Sequence, residues 1–248
     1  MKEKAPALLI TGAIDIEGNN VPFTRISNTQ IRLDQYIHSI EYAIKKYRSI
    51  DKIIFVENTN FLYDYSSLYH LAVNHKKTLE VLPFKGEIEK TIFHGKGFGE
   101  MECINYALRN SKLLKTSTEF IKLTGRVDVL NFDCLLYAAY GANSFYAVRA
   151  EKFPYVETIL YKVDKVFFQD NMSDLGSLVL DREKMYLERV FYKRLYELRR
   201  TYPIGSFRAY RFLKGISAST GNSYGTKMRY KITNSVLAAF GRFDINSH

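Results

Sequence analysis

The stretch from Pro6 to Asn60 restricts the architecture more than any other part of the chain. "PALLITGA" is a continuous apolar run broken at Thr11-Gly12, the pattern of a strand buried on both faces. "NTQIRLDQYIHSIEYAIKKY" then places Leu33, Ile37, Ile40, Ile44 and Tyr47 at alternating spacings of four and three. That spacing makes one apolar stripe along a helix, with Ser27 or Asn28 as its cap. "DKIIFVENTN" is a second buried strand ending at Glu57-Asn58. Strand, helix and strand at this length form a βαβ unit, so the first two strands are expected to be parallel.

The pattern continues with "LEVLPF" as a third strand. Gly95, Gly97 and Gly99 read as a flexible turn, with a helix starting just after Gly99 and carrying Met101, Ile104 and Leu108. "EFIKLTGRVDVL" alternates as a strand, and "NFDCLLYAAYG" reads as a short helix that stops before Gly141. "SFYAVRA" and "ETILYKVDKVFF" read as strands, and "DREKMYLERVFYKRLYELRR" as a long helix capped by Asp181. From about Tyr202 the composition turns to Gly, Ser, aromatics and cations. The expected organisation is therefore an α/β domain over 1–201 followed by a basic, aromatic extension over 202–248.

The net charge of +10 is unevenly placed. Residues 1–188 hold 24 Lys+Arg against 24 Asp+Glu, whereas residues 189–248 hold 12 against only Glu197 and Asp244. A neutral body with a basic end points to an anionic surface, either nucleic acid or a membrane leaflet. The apolar run near the amino end is too short for a secretory signal, and no stretch is apolar for the roughly 18–20 residues that a membrane span needs. Two cysteines, Cys103 and Cys134, show no metal-like spacing and suggest a reducing compartment, so the cytoplasm is the expected location.

The candidate chemistry lies in a few short motifs. Gly95, Gly97 and Gly99 form G-x-G-x-G, which matches neither the dinucleotide fingerprint nor a Walker A loop. On an extended "FIKLTGR", Lys122, Thr124 and Arg126 would share one face near the carboxyl end of a strand, where ligands of open α/β sheets bind. Two cations and a hydroxyl converging there suit a diphosphate. No nucleophile elbow, zincin motif or Cys/His metal set is present. A strict Asp-x-Asp is missing too, with only "DIE" at 15–17 and Asp128 as weak substitutes. Cationic side chains are thus expected to serve the phosphates rather than Mn2+ or Mg2+.

Taken in order, "RLDQYIHSIEYAI", "KIIFVENTN", "GKGFGEMECINYAL", "FIKLTGR" and "YLERVFY" resemble a family of bacterial surface-polysaccharide glycosyltransferases over most of residues 5–200. The resemblance implies a GT-A-like, Rossmann-type mixed sheet flanked by helices. It implies a nucleotide diphospho-sugar donor of the UDP-hexose type, galactofuranose being used by some relatives, and a lipid-linked glycan acceptor. Thr11, Gly12, Glu57 and Asn58 would then flank the nucleotide, and Lys96, Gly97, Lys122, Arg126 and Asp128 would serve the diphosphate end of the donor. The base for the acceptor hydroxyl would come from Asp170, Asp174 or Glu188. In the extension, Arg208, Arg211, Lys214, Lys227, Arg229 and Lys231 alternate with Phe207, Tyr210, Phe212, Tyr224 and Tyr230, a mixture suited to the inner face of an anionic membrane. The rival reading of that mixture is a nucleic-acid-binding protein.

Overall fold

A computed structural model describes residues 6–18, 26–148, 153–215, 234–236, 238 and 244–247. The chain opens with β1 (Ala7–Gly12), α1 (Thr29–Lys46) and β2 (Lys52–Glu57), followed by α2 (Ser66–Asn74) and β3 (Thr78–Pro83). Three helices come next, α3 (Ile88–His94), α4 (Lys96–Asn110) and α5 (Lys112–Lys115), then β4 (Glu119–Thr124) and β5 (Val127–Val129). The rest comprises α6 (Phe132–Tyr137), β6 (Asn143–Val148), β7 (Tyr155–Asp164), α7 (Lys165–Asn171), α8 (Leu187–Leu198), β8 (Ile204–Gly205) and β9 (Leu213–Gly215).

Seven strands form one mixed sheet in the order β3-β2-β1-β4-β7-β6-β8. The first four are mutually parallel, β7 runs antiparallel to both of its neighbours, and β8 pairs parallel with β6. The period of two along β1 explains the layering. Leu8 and Ile10 join Ile53, Phe55 and the α1 residues Leu33, Ile40 and Ile44 on one face. Ala7 and Leu9 join Ile54, Val56 and the α4 residues Met101, Ile104 and Ala107 on the other. Asn28 caps α1 by accepting from the Ile31 amide at 3.0 Å. The expected mixed α/β sheet flanked by helices, with parallel first strands, is what the chain adopts.

Four local readings change, each for a physical reason. The glycine stretch is not a turn, because α4 begins at Lys96 and Gly97 and Gly99 lie inside its first turns. Gly95 is the cap, at φ +112°, packed so closely on Asp181 that a Cβ there would lie 2.1 Å from that carboxyl carbon. The strand expected over 119–130 breaks at Gly125-Arg126. Arg126 adopts φ +68°, and β5 leaves the main sheet to pair with β9. The strand expected over "ETILYKVDKVFF" stops at Asp164, whose carboxylate caps α7 through the Phe167 amide at 2.8 Å. The long helix expected from Asp181 starts only at Leu187, since Lys184 is left-handed at φ +60° and the 181–183 segment is a separate 3-10 turn.

Residues 204–215 of the expected extension are built into the body. They supply β8 and β9, and Tyr146 donates its hydroxyl proton to the Ala209 carbonyl at 2.6 Å. Arg211 is buried, ion-paired with Glu157, and its guanidinium lies 4.8 Å from the Tyr146 ring centroid. Lys227, Arg229, Lys231, Tyr224 and Tyr230 lie outside the described residues. No described helix is long and apolar enough to cross a membrane.

Candidate active-site cleft

The carboxyl ends of β1, β2 and β4 open on a cleft of about 270 Å3. Its walls include Thr11 and Gly12, Asn58, Thr124 to Val127, Arg32 and Tyr36 of α1, the first turns of α4, Thr158 of β7, and Asp181 with Tyr186 to Glu188. This is the edge at which open α/β sheets bind ligands.

One end is cationic, and Tyr36 organises it. A Cβ on Gly125 would lie 2.4 Å from the Tyr36 ring and one on Gly12 3.1 Å, so both glycines let α1 drop onto the strand ends. The Tyr36 hydroxyl accepts from the Ala13 amide at 3.0 Å. Its ring centroid lies 5.9 Å from the Arg32 guanidinium and 5.6 Å from that of Arg126. Arg32 donates to the carbonyls of Ala13 at 2.8 Å and Ile26 at 2.9 Å. Arg126 donates to the Gln35 side-chain oxygen at 3.1 Å, while its buried Nε has no partner. Among the described residues neither guanidinium has a carboxylate partner. Burial, and to a lesser extent Arg126, pushes the pKa of Arg32 down. Two guanidiniums held together in a partly dry site, one with a donor unsatisfied among the described residues, leave a local excess of positive charge.

The other end is a carboxylate floor resting on a buried ammonium. Lys122 is fully buried and contacts Glu100 at 2.5 Å, the Thr124 hydroxyl at 2.7 Å and the Thr158 carbonyl at 2.7 Å. Burial lowers its pKa and Glu100 opposes that shift. Thr158 in turn donates its hydroxyl to Glu188 at 3.3 Å, from β7 to the first turn of α8. Burial pushes the Glu188 carboxyl above the usual carboxylate range, the nearby Glu100 adds to the rise, and Lys96 opposes it. Asp181 accepts from the Lys96 amide at 3.3 Å, and burial raises its pKa as well.

Of the sequence-predicted site residues, Thr11, Gly12, Asn58, Lys96, Gly97, Arg126 and Glu188 all line this cleft. Four others do not. Lys122 lies beneath the floor with its ammonium engaged, so Lys122 and Arg126 do not project together; the left-handed residue at Arg126 breaks the strand alternation. Glu57 turns its carboxylate onto the amides of Ile14, Thr59 and Phe61, at 2.8 to 3.0 Å, and so ties together the loops after β1 and β2. Asp128 pairs with His38 at 3.0 Å and Ser39 at 3.3 Å, away from the cleft. Asp170 is exposed on α7 rather than in a loop, and Asp174 pairs with Arg194 at 3.0 Å.

Arg32, Tyr36, Glu100, Thr158 and Asp181 enter the cleft without having been singled out as site residues. Arg32 carried a signal, being a cation set on the apolar face of α1 one turn before Tyr36. The others depend on which elements meet. Among the described residues no group of three His, Cys, Asp or Glu side chains is placed to ligate a metal ion. The cleft carboxylates Glu100 and Asp181 already face Lys122 and Lys96.

No family model and no curated protein matches the sequence. Among solved structures the chain is similar to a protein named as a glucose-1-phosphate thymidylyltransferase, from Bacillus anthracis, in complex with a sucrose. That likeness has 10% identity, covers 95% of each chain and reaches a TM-score of 0.49. Another is the apo bifunctional glycosyltransferase WbbM, at 13% identity over 78% of this chain and 38% of that one, with a TM-score of 0.41. A third is core-mannan synthase A of Aspergillus fumigatus in its Mn/GDP form, at 8% identity over 97% and 87%, with a TM-score of 0.43. All three scores lie below 0.5, so the chemistry of the cleft is read from its own residues.

Proposed function

We propose that the chain is a glycosyltransferase that moves a sugar from a nucleotide diphosphate donor to a glycan acceptor. The observation that supports this best is the polarity of the cleft, with Arg32 and Arg126, ion-paired to no carboxylate among the described residues, at one end and the protonatable Glu188 at the other. The donor diphosphate would lie against Arg32 and Arg126, with Lys96 at the start of α4 completing the cationic wall. Fixed donors aimed at a departing phosphate stabilise the charge that develops as the bond breaks.

The acceptor hydroxyl would approach from the side of Glu188. Its oxygen bonds to the anomeric carbon while the bond from that carbon to the phosphate oxygen breaks. The electron pair leaves with the nucleoside diphosphate, and the hydroxyl proton passes to the Glu188 carboxylate. A carboxylate made more basic by burial suits that role at neutral pH. The Thr158 hydroxyl orients it. The finer assignment, a UDP-hexose donor and a lipid-linked acceptor in surface-polysaccharide synthesis, follows from the sequence resemblance.

A thermal-shift panel of UDP-, GDP-, CMP- and dTDP-sugars tests the reading. A ligand present at about a hundred times its Kd stabilises the native state by about 2.7 kcal/mol. For a chain of this size that raises Tm by about 5–10 °C. A shift with one nucleotide class is the expected result, and no shift with any of them would remove the donor reading.

A further inference from the structure

The excess positive charge of this protein begins where α8 begins. Between Arg189 and Arg200 the chain holds Arg189, Lys193, Arg194, Arg199 and Arg200 against the single acid Glu197. Helical geometry sorts these residues by face. Leu187, Val190, Phe191 and Leu195 are buried against the sheet, which leaves Arg189, Lys193 and Tyr196 along the outward line at spacings of four and three, with Arg200 exposed in the turn just past the helix end. Tyr192 and Arg199 flank that line on one side and Glu197 on the other. Arg194 is committed to Asp174, whereas among the described residues Arg189, Lys193 and Arg200 are ion-paired to no carboxylate.

Beside this face runs a groove of about 380 Å3 between α8 and the 3-10 turn at Leu175–Leu178. Leu175, Leu178, Met185 and Val190 form its apolar lining, and Lys193, Arg194 and Glu197 stand at its rim. Leu178 is 49% exposed, and Phe153, beneath the Arg189 guanidinium at 3.9 Å, is 50% exposed.

We propose that the outer face of α8, with this groove, docks the protein on an anionic lipid surface. Cations interleaved with tyrosines beside an apolar slot match the layering of a bilayer interface, where headgroup phosphates lie just outside acyl chains. The same observations disfavour a nucleic acid. Stacking of bases needs open aromatic faces. Tyr192 and Tyr196 instead stack on each other at 5.8 Å and 17°, and the Arg199 guanidinium covers Tyr196 at 3.3 Å. The hydroxyl edges remain for headgroups, and the groove beside them has an apolar floor bordered by Lys193, Arg194 and Glu197. The first turn of α8 carries Glu188 in the cleft wall, so a membrane along this helix lies within about 18 Å of the proposed acceptor base. Of the cations expected to serve a membrane from the extension, Arg211 is buried, and Lys227, Arg229 and Lys231 lie outside the described residues.

Flotation of the full chain with vesicles tests this without any sugar donor, and is therefore read separately from the transferase reading. The protein is expected to float with vesicles of phosphatidylcholine and phosphatidylglycerol in equal amounts, less so at high salt, and not with phosphatidylcholine alone. Replacing two exposed cations, K193Q/R200Q, should lower the partition coefficient about 30-fold while leaving Tm unchanged. Tyr196→Ala should weaken binding again through loss of the interfacial ring. The proposal is overturned if the wild type shows no preference for anionic vesicles, or if K193Q/R200Q partitions as the wild type does. Displacement from the vesicles by single-stranded RNA would overturn it too, and would assign the face to nucleic acid.

Discussion

Replacing Lys122 by Met tests whether this lysine supports the cleft from below or contacts the ligand. The ammonium is fully buried and has three partners within 2.7 Å. Met fills much the same volume but donates nothing, so Glu100 and the Thr158 carbonyl lose their partner together. Breaking a buried ion pair by removing one member costs about 3–5 kcal/mol. Glu100 is 19% exposed through the cleft, where water can reach it, so the lower end, about 3 kcal/mol, is expected. Urea unfolding should show a lower midpoint with an unchanged slope, and Tm should fall by about 6–12 °C. Adding Glu100→Gln removes the stranded charge, and the double variant K122M/E100Q should recover about 2 kcal/mol of that loss. Its affinity for a nucleoside diphosphate should stay near that of the wild type, because neither group belongs to the arginine end. A single variant as stable as wild type, a double variant no better than the single one, or a large loss of nucleotide affinity in the double variant would each refute this account of Lys122.

Three further outcomes follow from the cleft. Arg126→Met should weaken nucleoside diphosphate binding about 10–100-fold, as expected when a charged hydrogen-bonding partner is lost. Its melting temperature should hardly fall, because among the described residues Arg126 donates to one group, Gln35, and it crowds Arg32; calorimetric titration and a melt read the two effects separately. Glu188→Gln should abolish transfer and yet stabilise the protein at neutral pH. The Glu188 pKa is raised on folding, so its stabilising effect is complete below the ordinary Glu value and is lost as pH rises through the folded value. Gln does not titrate, so the Tm difference between variant and wild type should be small near about pH 4 and grow towards pH 7; a difference that stays flat would contradict the raised pKa. Gly125→Ala would set a Cβ 2.4 Å from Tyr36 and 2.7 Å from the Thr11 carbonyl. It should cost about 1–3 kcal/mol through overpacking and also reduce nucleotide affinity, because Tyr36 spaces the two arginines; a variant with normal stability and affinity would count against that role.

The sequence alone determined the β1-α1-β2 core, the parallel pairing of the first strands and the carboxyl-edge position of Thr11, Gly12 and Asn58. Those features follow from periods of 2 and 3.6, which compare residues close in the chain and need no knowledge of distant partners. The partnerships of the charged groups were decided only by tertiary structure. Lys122 looked like a ligand contact on an isolated strand, but Glu100 from α4 and Thr158 from β7 close over it. Glu57 and Asp128 looked like site carboxylates, but amides from two loops and His38 from α1 take them up. Glu188 joins the cleft because the left-handed Lys184 delays the start of α8, and Arg126 because a positive φ ends the alternation of β4. Each of these outcomes depends on which elements approach one another across long stretches of chain. The cost of burying a charge is met there by whichever partner the packing brings, and local pattern carries no record of that partner.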